Sequence, residues 1–172
     1  FPNLLDIQRY SLPSGNYSLE LTMKDPNSEE EPVVSTDYFD IDFSESQVHF
    51  SGIELIHSYK KSNEDNILNK NGYKLTPFVF DYYSDIITEL TFYAELYNSQ
   101  QLLGGDQFLL YYYIRPLEVT KKLDQFFFMK KVESQPVNIF LNTIDITQLP
   151  TGNYLLVMEV RNRNNVLLAS QE

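Results

Sequence analysis

Apolar and polar residues alternate with period two along most of this chain, the pattern of strands with one buried face. The clearest run is Tyr154-Leu155-Leu156-Val157-Met158-Glu159-Val160-Arg161. Tyr154, Leu156, Met158 and Val160 share one face, and Glu159 and Arg161 mark the other as solvent. Tyr17-Ser18-Leu19-Glu20-Leu21-Thr22-Met23-Lys24 reads the same way, with Tyr17, Leu19, Leu21 and Met23 inward. The same pattern predicts strands over 33–43, 48–59, 72–81, 89–97, 107–115, 125–132, 137–146 and 166–170. Stretches rich in turn residues separate them at 25–28, 62–71, 98–106 and 161–165. In 84–98, Ile86, Ile87, Leu90, Ala94 and Tyr97 also fit a helical face. The alternation of Leu90, Phe92, Ala94 and Leu96 favours a short turn followed by a strand.

One motif occurs twice. Leu12-Pro13-Ser14-Gly15-Asn16-Tyr17 returns as Leu149-Pro150-Thr151-Gly152-Asn153-Tyr154, 137 residues on, with five of six positions identical. The match extends softly: Lys24 answers to Arg161, Asp25 to Asn162 and Asn27 to Asn164. An Asp-Ile pair, Asp6-Ile7 or Asp145-Ile146, precedes each copy. Proline fixes φ and glycine permits a positive φ, so a tight turn is expected before each tyrosine enters its strand facing inward. This resembles the tyrosine corner of immunoglobulin-like and fibronectin-type sandwiches, whose hydroxyl bonds back to nearby backbone. The repeat predicts an all-β fold of tandem antiparallel β-sandwich modules of that type. Residues 45–172 would be a complete module of about eight strands. Residues 1–44 would be the last three strands of a first, incomplete one. Three strands rarely bury enough to stand alone. Their facing layer is expected from upstream sequence, the second module or another chain.

Composition supports this reading. Aromatic residues are 15% of the chain, all Tyr and Phe, and suit pleated, half-buried surfaces. Net charge is −11 and unevenly spread: residues 1–50 carry 10 acidic and 2 basic groups, the remainder 14 and 11. Such a surface repels phosphate, which argues against nucleic acid and anionic lipid as partners. The pairs Lys60-Lys61, Lys121-Lys122 and Lys130-Lys131 read as solvated strand ends or loops. No apolar run approaches the ~20 residues of a membrane helix. The chain opens Phe1-Pro2-Asn3, without Met or a signal peptide, as in a processed product or a portion of something longer.

Candidate chemistry is sparse. The absence of cysteine excludes disulfides, thiolate metal sites and cysteine nucleophiles. His49 and His57 on one extended strand would stand ~26 Å apart at ~3.3 Å per residue, too far to share a metal. In 37–45, Asp40 and Asp42 alternate with Phe39, Ile41 and Phe43, a strand with a wet face rather than a calcium loop. No GxSxG or phosphate-loop pattern occurs. No metal or cofactor is therefore expected in a catalytic geometry. What remains is aromatic. Tyr82-Tyr83, Tyr111-Tyr112-Tyr113 and Phe126-Phe127-Phe128 must expose some rings if they lie in strands. That makes Tyr82, Tyr83, Tyr111 and Tyr113 the candidate contact surface.

Several segments together carry a resemblance: Phe50-Ser51-Gly52-Ile53-Glu54-Leu55, Asn71-Gly72-Tyr73 through Pro77, Leu90-Thr91-Phe92-Tyr93-Ala94-Glu95-Leu96-Tyr97-Asn98, the second LPxGNY copy, and Val166-Leu167-Leu168-Ala169-Ser170. This succession resembles the β-sandwich region of GWxTD-domain proteins, envelope-associated proteins of the Bacteroidetes lineage. The Asn-, Tyr-, Phe- and Lys-rich composition is similar to theirs. The resemblance implies a periplasmic or cell-surface setting and a scaffolding role, with other envelope proteins or further domains of the same polypeptide as partners. It supplies no catalytic residues. The leading expectation is a non-enzymatic structural or protein–protein interaction module. The alternative is a carbohydrate-binding β-sandwich module, against which the absence of Trp counts; an enzyme ranks third.

Overall fold

The computed structural model describes residues 7–172. Asp6, the first member of one Asp-Ile pair, and the opening Phe1-Pro2-Asn3 lie outside the described residues. Antiparallel strands dominate, so the fold is all-β. The chain forms two compact units, Phe1–Ser44 and Glu45–Glu172.

In the first unit, β1 (Gly15–Met23) and β2 (Val33–Ile41) make a two-stranded sheet. Their register is unbroken, from Gly15 opposite Ile41 to Met23 opposite Val33. Two strands stand among the described residues where three were expected. Residues directly opposite share a face. Tyr17, Leu19, Leu21 and Met23 therefore stand with Val33 and Phe39, and Asn16, Ser18, Glu20 and Thr22 with Thr36, Tyr38 and Asp40.

The second unit holds β3 (His49–Phe50), β4 (Glu54–Lys61), β5 (Asn69–Lys70), β6 (Tyr73–Pro77) and β7 (Glu89–Tyr97). A short helix α1 (Ser99–Leu103) leads to β8 (Gln107–Pro116), β9 (Phe127–Glu133), β10 (Val137–Asp145), β11 (Tyr154–Arg161) and β12 (Leu167–Gln171). One sheet runs β10-β7-β4-β6-β5, with β3 also on β7; the other runs β12-β11-β8-β9. The inner faces of the two share a core. Phe92, Ala94, Leu96, Phe140 and Ile144 of the first sheet pack with Phe108, Leu110, Ile114, Met158 and Val160 of the second, none more than 5% exposed. The Phe92 and Tyr112 rings meet with centroids 5.5 Å apart. Strand β7 is buried on both faces, because Tyr93, Ile56 and Leu75 form a second cluster on its far side.

Several boundaries differ from the sequence reading, each for a local reason. The strand expected over 48–59 is interrupted: three residues, 51–53, face only two, Ala94 and Glu95 of β7. The Ser51 hydroxyl accepts the Glu95 N–H at 2.9 Å while the Ser51 N–H donates to the Glu95 carbonyl at 2.8 Å. A side chain thus stands in for one rung of the ladder, as at a β-bulge. His49 and His57 consequently lie on different strands, and spacing along one strand does not govern their separation. His57 stacks on Phe78 instead. The strand expected over 72–81 ends at Pro77. The 98–106 turn contains α1, entered through Asn98 at φ 64 and left through Gly104 at φ 62. A 3-10 turn, Asp124–Phe126, occupies the start of the 125–132 strand. Ten strands, two of them only two residues long, replace the expected eight.

The core makes a first prediction. Phe92→Ala should cost about 3–5 kcal/mol, as for other buried aromatics. Ile86→Ala, at a side chain 90% exposed, should change stability by no more than about 0.5 kcal/mol. Urea unfolding of the two variants measures both.

Candidate contact surfaces

The two LPxGNY copies fold alike. The Tyr17 hydroxyl donates to the Pro13 carbonyl at 2.8 Å, and the Tyr154 hydroxyl donates to the Pro150 carbonyl at 2.9 Å. To reach back four residues, each ring must lie over the glycine two positions before it. A Cβ on Gly15 would meet the Tyr17 ring at 3.5 Å, and one on Gly152 would meet the Tyr154 ring at 3.2 Å. At Gly152 that approach is tighter than a side chain readily accepts, and at Gly15 it is an ordinary van der Waals contact. The left-handed conformation expected of them is found elsewhere, at Gly72, Gly104 and Gly105. The likeness continues into the following turns. Asp25 Oδ1 accepts the Asn27 N–H at 2.8 Å, and Asn162 Oδ1 accepts the Asn164 N–H at 2.9 Å. The Ser28 N–H then bonds the Asp25 carbonyl as the Asn165 N–H bonds that of Asn162.

The surroundings differ. On β11, Met158 and Val160 are fully buried, and Tyr154, Leu156 and Leu149 pack against the core. Their counterparts on β1, Leu21 and Met23, are 54% and 56% exposed. Leu19 and Leu12 are also exposed, so Leu12 does not plug a core end as Leu149 does. Strand β11 is paired on both edges, to β12 and to β8. Among the described residues β1 pairs only with β2. Among the described residues of its own unit, no further strand covers the apolar face of the first hairpin. The Tyr17 and Phe39 rings stack across the hairpin at 5.9 Å.

The four tyrosines proposed as a contact surface separate into two places. Tyr111 and Tyr113 stand on the outer face of β8, in a shallow depression of about 580 Å³ shared with Phe127, Lys122, Glu159 and Arg161. Alternation explains the split of the aromatic runs. Tyr112 and Phe128 stack toward the core at 4.9 Å, while Tyr111 and Phe127 stack outside at 5.4 Å. The outer stack is capped at both ends. The Arg161 guanidinium lies 5.9 Å from the Tyr111 centroid, and the Lys122 ammonium 3.3 Å from that of Phe127. Arg161 also pairs with Glu159 at 2.7 Å, and the Tyr113 hydroxyl donates to Glu159 at 2.8 Å. Burial, and then that bond to a carboxylate, push the Tyr113 hydroxyl up to about 12. Cations of the chain itself thus stand beside both rings of the outer stack, and charged groups share the depression with them. Phe127, Glu159 and Arg161 were missed in the sequence because they converge from two further strands.

Tyr82 and Tyr83 do not line this depression. They belong to the connection between β6 and β7, where Tyr82 is 65% exposed. Tyr83 stacks on Phe78 at 4.3 Å. Its hydroxyl is buried without a hydrogen-bond partner among the described residues, and burial raises it to about 12.

A second site went unread: the far face of β7, around Glu95. This carboxylate is 4% exposed. Its Oε1 accepts from the Tyr93 hydroxyl at 2.6 Å and from Asn71 Nδ2 at 3.0 Å, and lies 3.2 Å from the Lys70 ammonium. Its Oε2 accepts from the Tyr97 hydroxyl. Burial alone would raise its pKa. The two tyrosine hydroxyls and then Lys70 outweigh burial and hold the carboxyl below its ordinary range. Tyr93 and Tyr97 are pushed up, first by burial and then by bonding Glu95. An ionised carboxylate with its oxygens already occupied is a structural anchor, unlike the raised carboxyl a general acid requires. The signal in the sequence was Tyr93-Glu95-Tyr97 on the face opposite Phe92, Ala94 and Leu96.

Among the described residues no three His, Asp or Glu side chains gather as metal ligands would. No described helix is long and apolar enough to cross a membrane. Comparison with family models, with curated proteins and with solved structures finds no match.

Two predictions follow from these contacts. Tyr154→Phe loses one hydrogen bond and should cost about 0.5–1.5 kcal/mol. Tyr83→Phe removes an unpartnered buried hydroxyl and should be neutral or stabilising, so urea midpoints move in opposite senses or only at Tyr154. At Glu95 the folded pKa is depressed. The stability it confers is complete above the unfolded value of about 4.3 and is lost as pH falls through the lower folded value. Glu95→Gln should therefore cost about 1–3 kcal/mol near pH 7, and the gap to the parent should close as unfolding is repeated toward pH 3.

Proposed function

We propose that this chain is a non-enzymatic structural and protein–protein interaction module of a bacterial cell-envelope protein, assembled from tandem immunoglobulin-like sandwich units. The observation that carries this reading is the Pro-x-Gly-x-Tyr corner used twice, followed by buried Met158 and Val160 in one copy and by exposed Leu21 and Met23 in the other. A hairpin of this kind with an exposed apolar face is half of a contact. The most developed polar site, around Glu95, is spent on holding strands together, which suits a scaffold. Strong negative charge, most of it in residues 1–50, favours contact with protein over nucleic acid or anionic lipid. The similarity to GWxTD-domain sandwiches supports a periplasmic or surface location.

Sugar binding is the weaker reading. A flat ring face is the usual platform for a saccharide, and here Lys122 lies 3.3 Å over the Phe127 ring while Tyr111 is stacked on Phe127. Cell fractionation tests the proposal. The gene product should be recovered with periplasmic or surface proteins and be cut by protease added to spheroplasts. Recovery in the cytosol, protected from that protease, would refute the envelope assignment.

A further inference from the structure

We propose that the apolar face and the free edge of β1 seat a sandwich layer of the same polypeptide, one equivalent to the strands β3 to β10 that complete the second unit. This rests on the tandem-module reading above and adds the partner, the edge and the register.

The second unit shows what covers such a hairpin. There β11 follows directly on the strands it packs against, and β8 pairs antiparallel along its whole length. Tyr154 lies opposite Pro116, Met158 opposite Tyr112 and Val160 opposite Leu110. Carried over to β1, the incoming strand runs antiparallel and ends opposite Tyr17. Leu21 and Met23 then face large inward residues four and six positions before that end. The composition of β2 agrees about which edge is free. Its residues on the apolar side are Val33, Ser35, Asp37 and Phe39, with a charge pointing inward at mid-strand. An inward charge is how rim strands resist further pairing. Strand β12 is likewise the rim of its sheet. That leaves β1, apolar at every inward position, as the side that receives a neighbour.

Charge argues against a second copy. Face-to-face hairpins would bring together two segments each with 10 acidic and 2 basic residues in positions 1–50. A layer continuous with the chain also needs no association step, just as β3 to β10 need none.

Residues 1–172 contain no cysteine, so single thiols placed there report accessibility cleanly once any cysteine elsewhere in the gene product is replaced by serine. Leu21→Cys and Glu20→Cys place a thiol on the apolar and polar faces of β1, and Met158→Cys provides a buried reference. In residues 1–172 alone, Leu21→Cys and Glu20→Cys should react with a maleimide within about threefold of each other, and Met158→Cys far more slowly. In the purified gene product, Leu21→Cys should slow by about tenfold or more relative to Glu20→Cys, equally at low and high protein concentration. Leu19→Cys should repeat the result and guards against a local effect of one substitution. Three outcomes overturn the proposal: free reaction of Leu21→Cys, protection that grows with concentration, which means a second copy, or protection present in cells and lost on purification, which means a separate protein. In each case recovery in the envelope fraction leaves the broader reading standing.

Discussion

Strand β7 has neighbours on both edges and is buried on both faces, and the second unit is organised around satisfying it. Phe92, Ala94 and Leu96 need an apolar layer, which β8 and β11 supply. Tyr93 and Glu95 need polar partners on the other side, and Lys70 and Asn71 bring them from β5 and the turn after it. The bulge opposite Glu95 belongs to the same requirement. The Ser51 hydroxyl pairs with the Glu95 N–H where the extra residue would otherwise break the ladder. A buried carboxylate that lost these donors would cost several kcal/mol, on the order of what breaking a buried ion pair costs. One strand thus fixes both sheets and the fold-over of β5 and β6.

The long strands were legible because their two faces differ in polarity and turn residues bracket them. Tyr154–Arg161 and Glu89–Tyr97 are found as the alternation places them. Features that depend on distant partners were not legible. Ser51 looks like any strand residue until Glu95 is opposite it. Glu95 looks like a solvent-facing residue until Lys70, Asn71 and two tyrosines surround it. Tyr111 and Tyr113 were recognised as outward-facing, but the cations capping the outer stack come from β11 and from the loop before β9. The role of Gly15 and Gly152 was misjudged for a related reason. The sequence shows a glycine in a turn and suggests backbone freedom; the structure shows instead a tyrosine ring lying over the glycine, tightly at Gly152 and at ordinary contact distance at Gly15.

The paired hairpins separate what a local sequence does from what its surroundings do. Corner, turn and strand phase are the same in both units, so the local chain dictates them. Burial of Leu21 and Met158 is not the same, and no residue within the hairpin decides it. Two-stranded sheets with one apolar face are marginal in water. The first hairpin gains its hydrophobic stabilisation only when something covers it.

The ring-over-glycine contact has a use beyond stability. It makes Pro-x-Gly-x-Tyr a mark, legible in the sequence, of where the first strand of each hairpin begins. The same spacing met elsewhere in a sequence of this kind would point to another such strand entry, whatever lies around it.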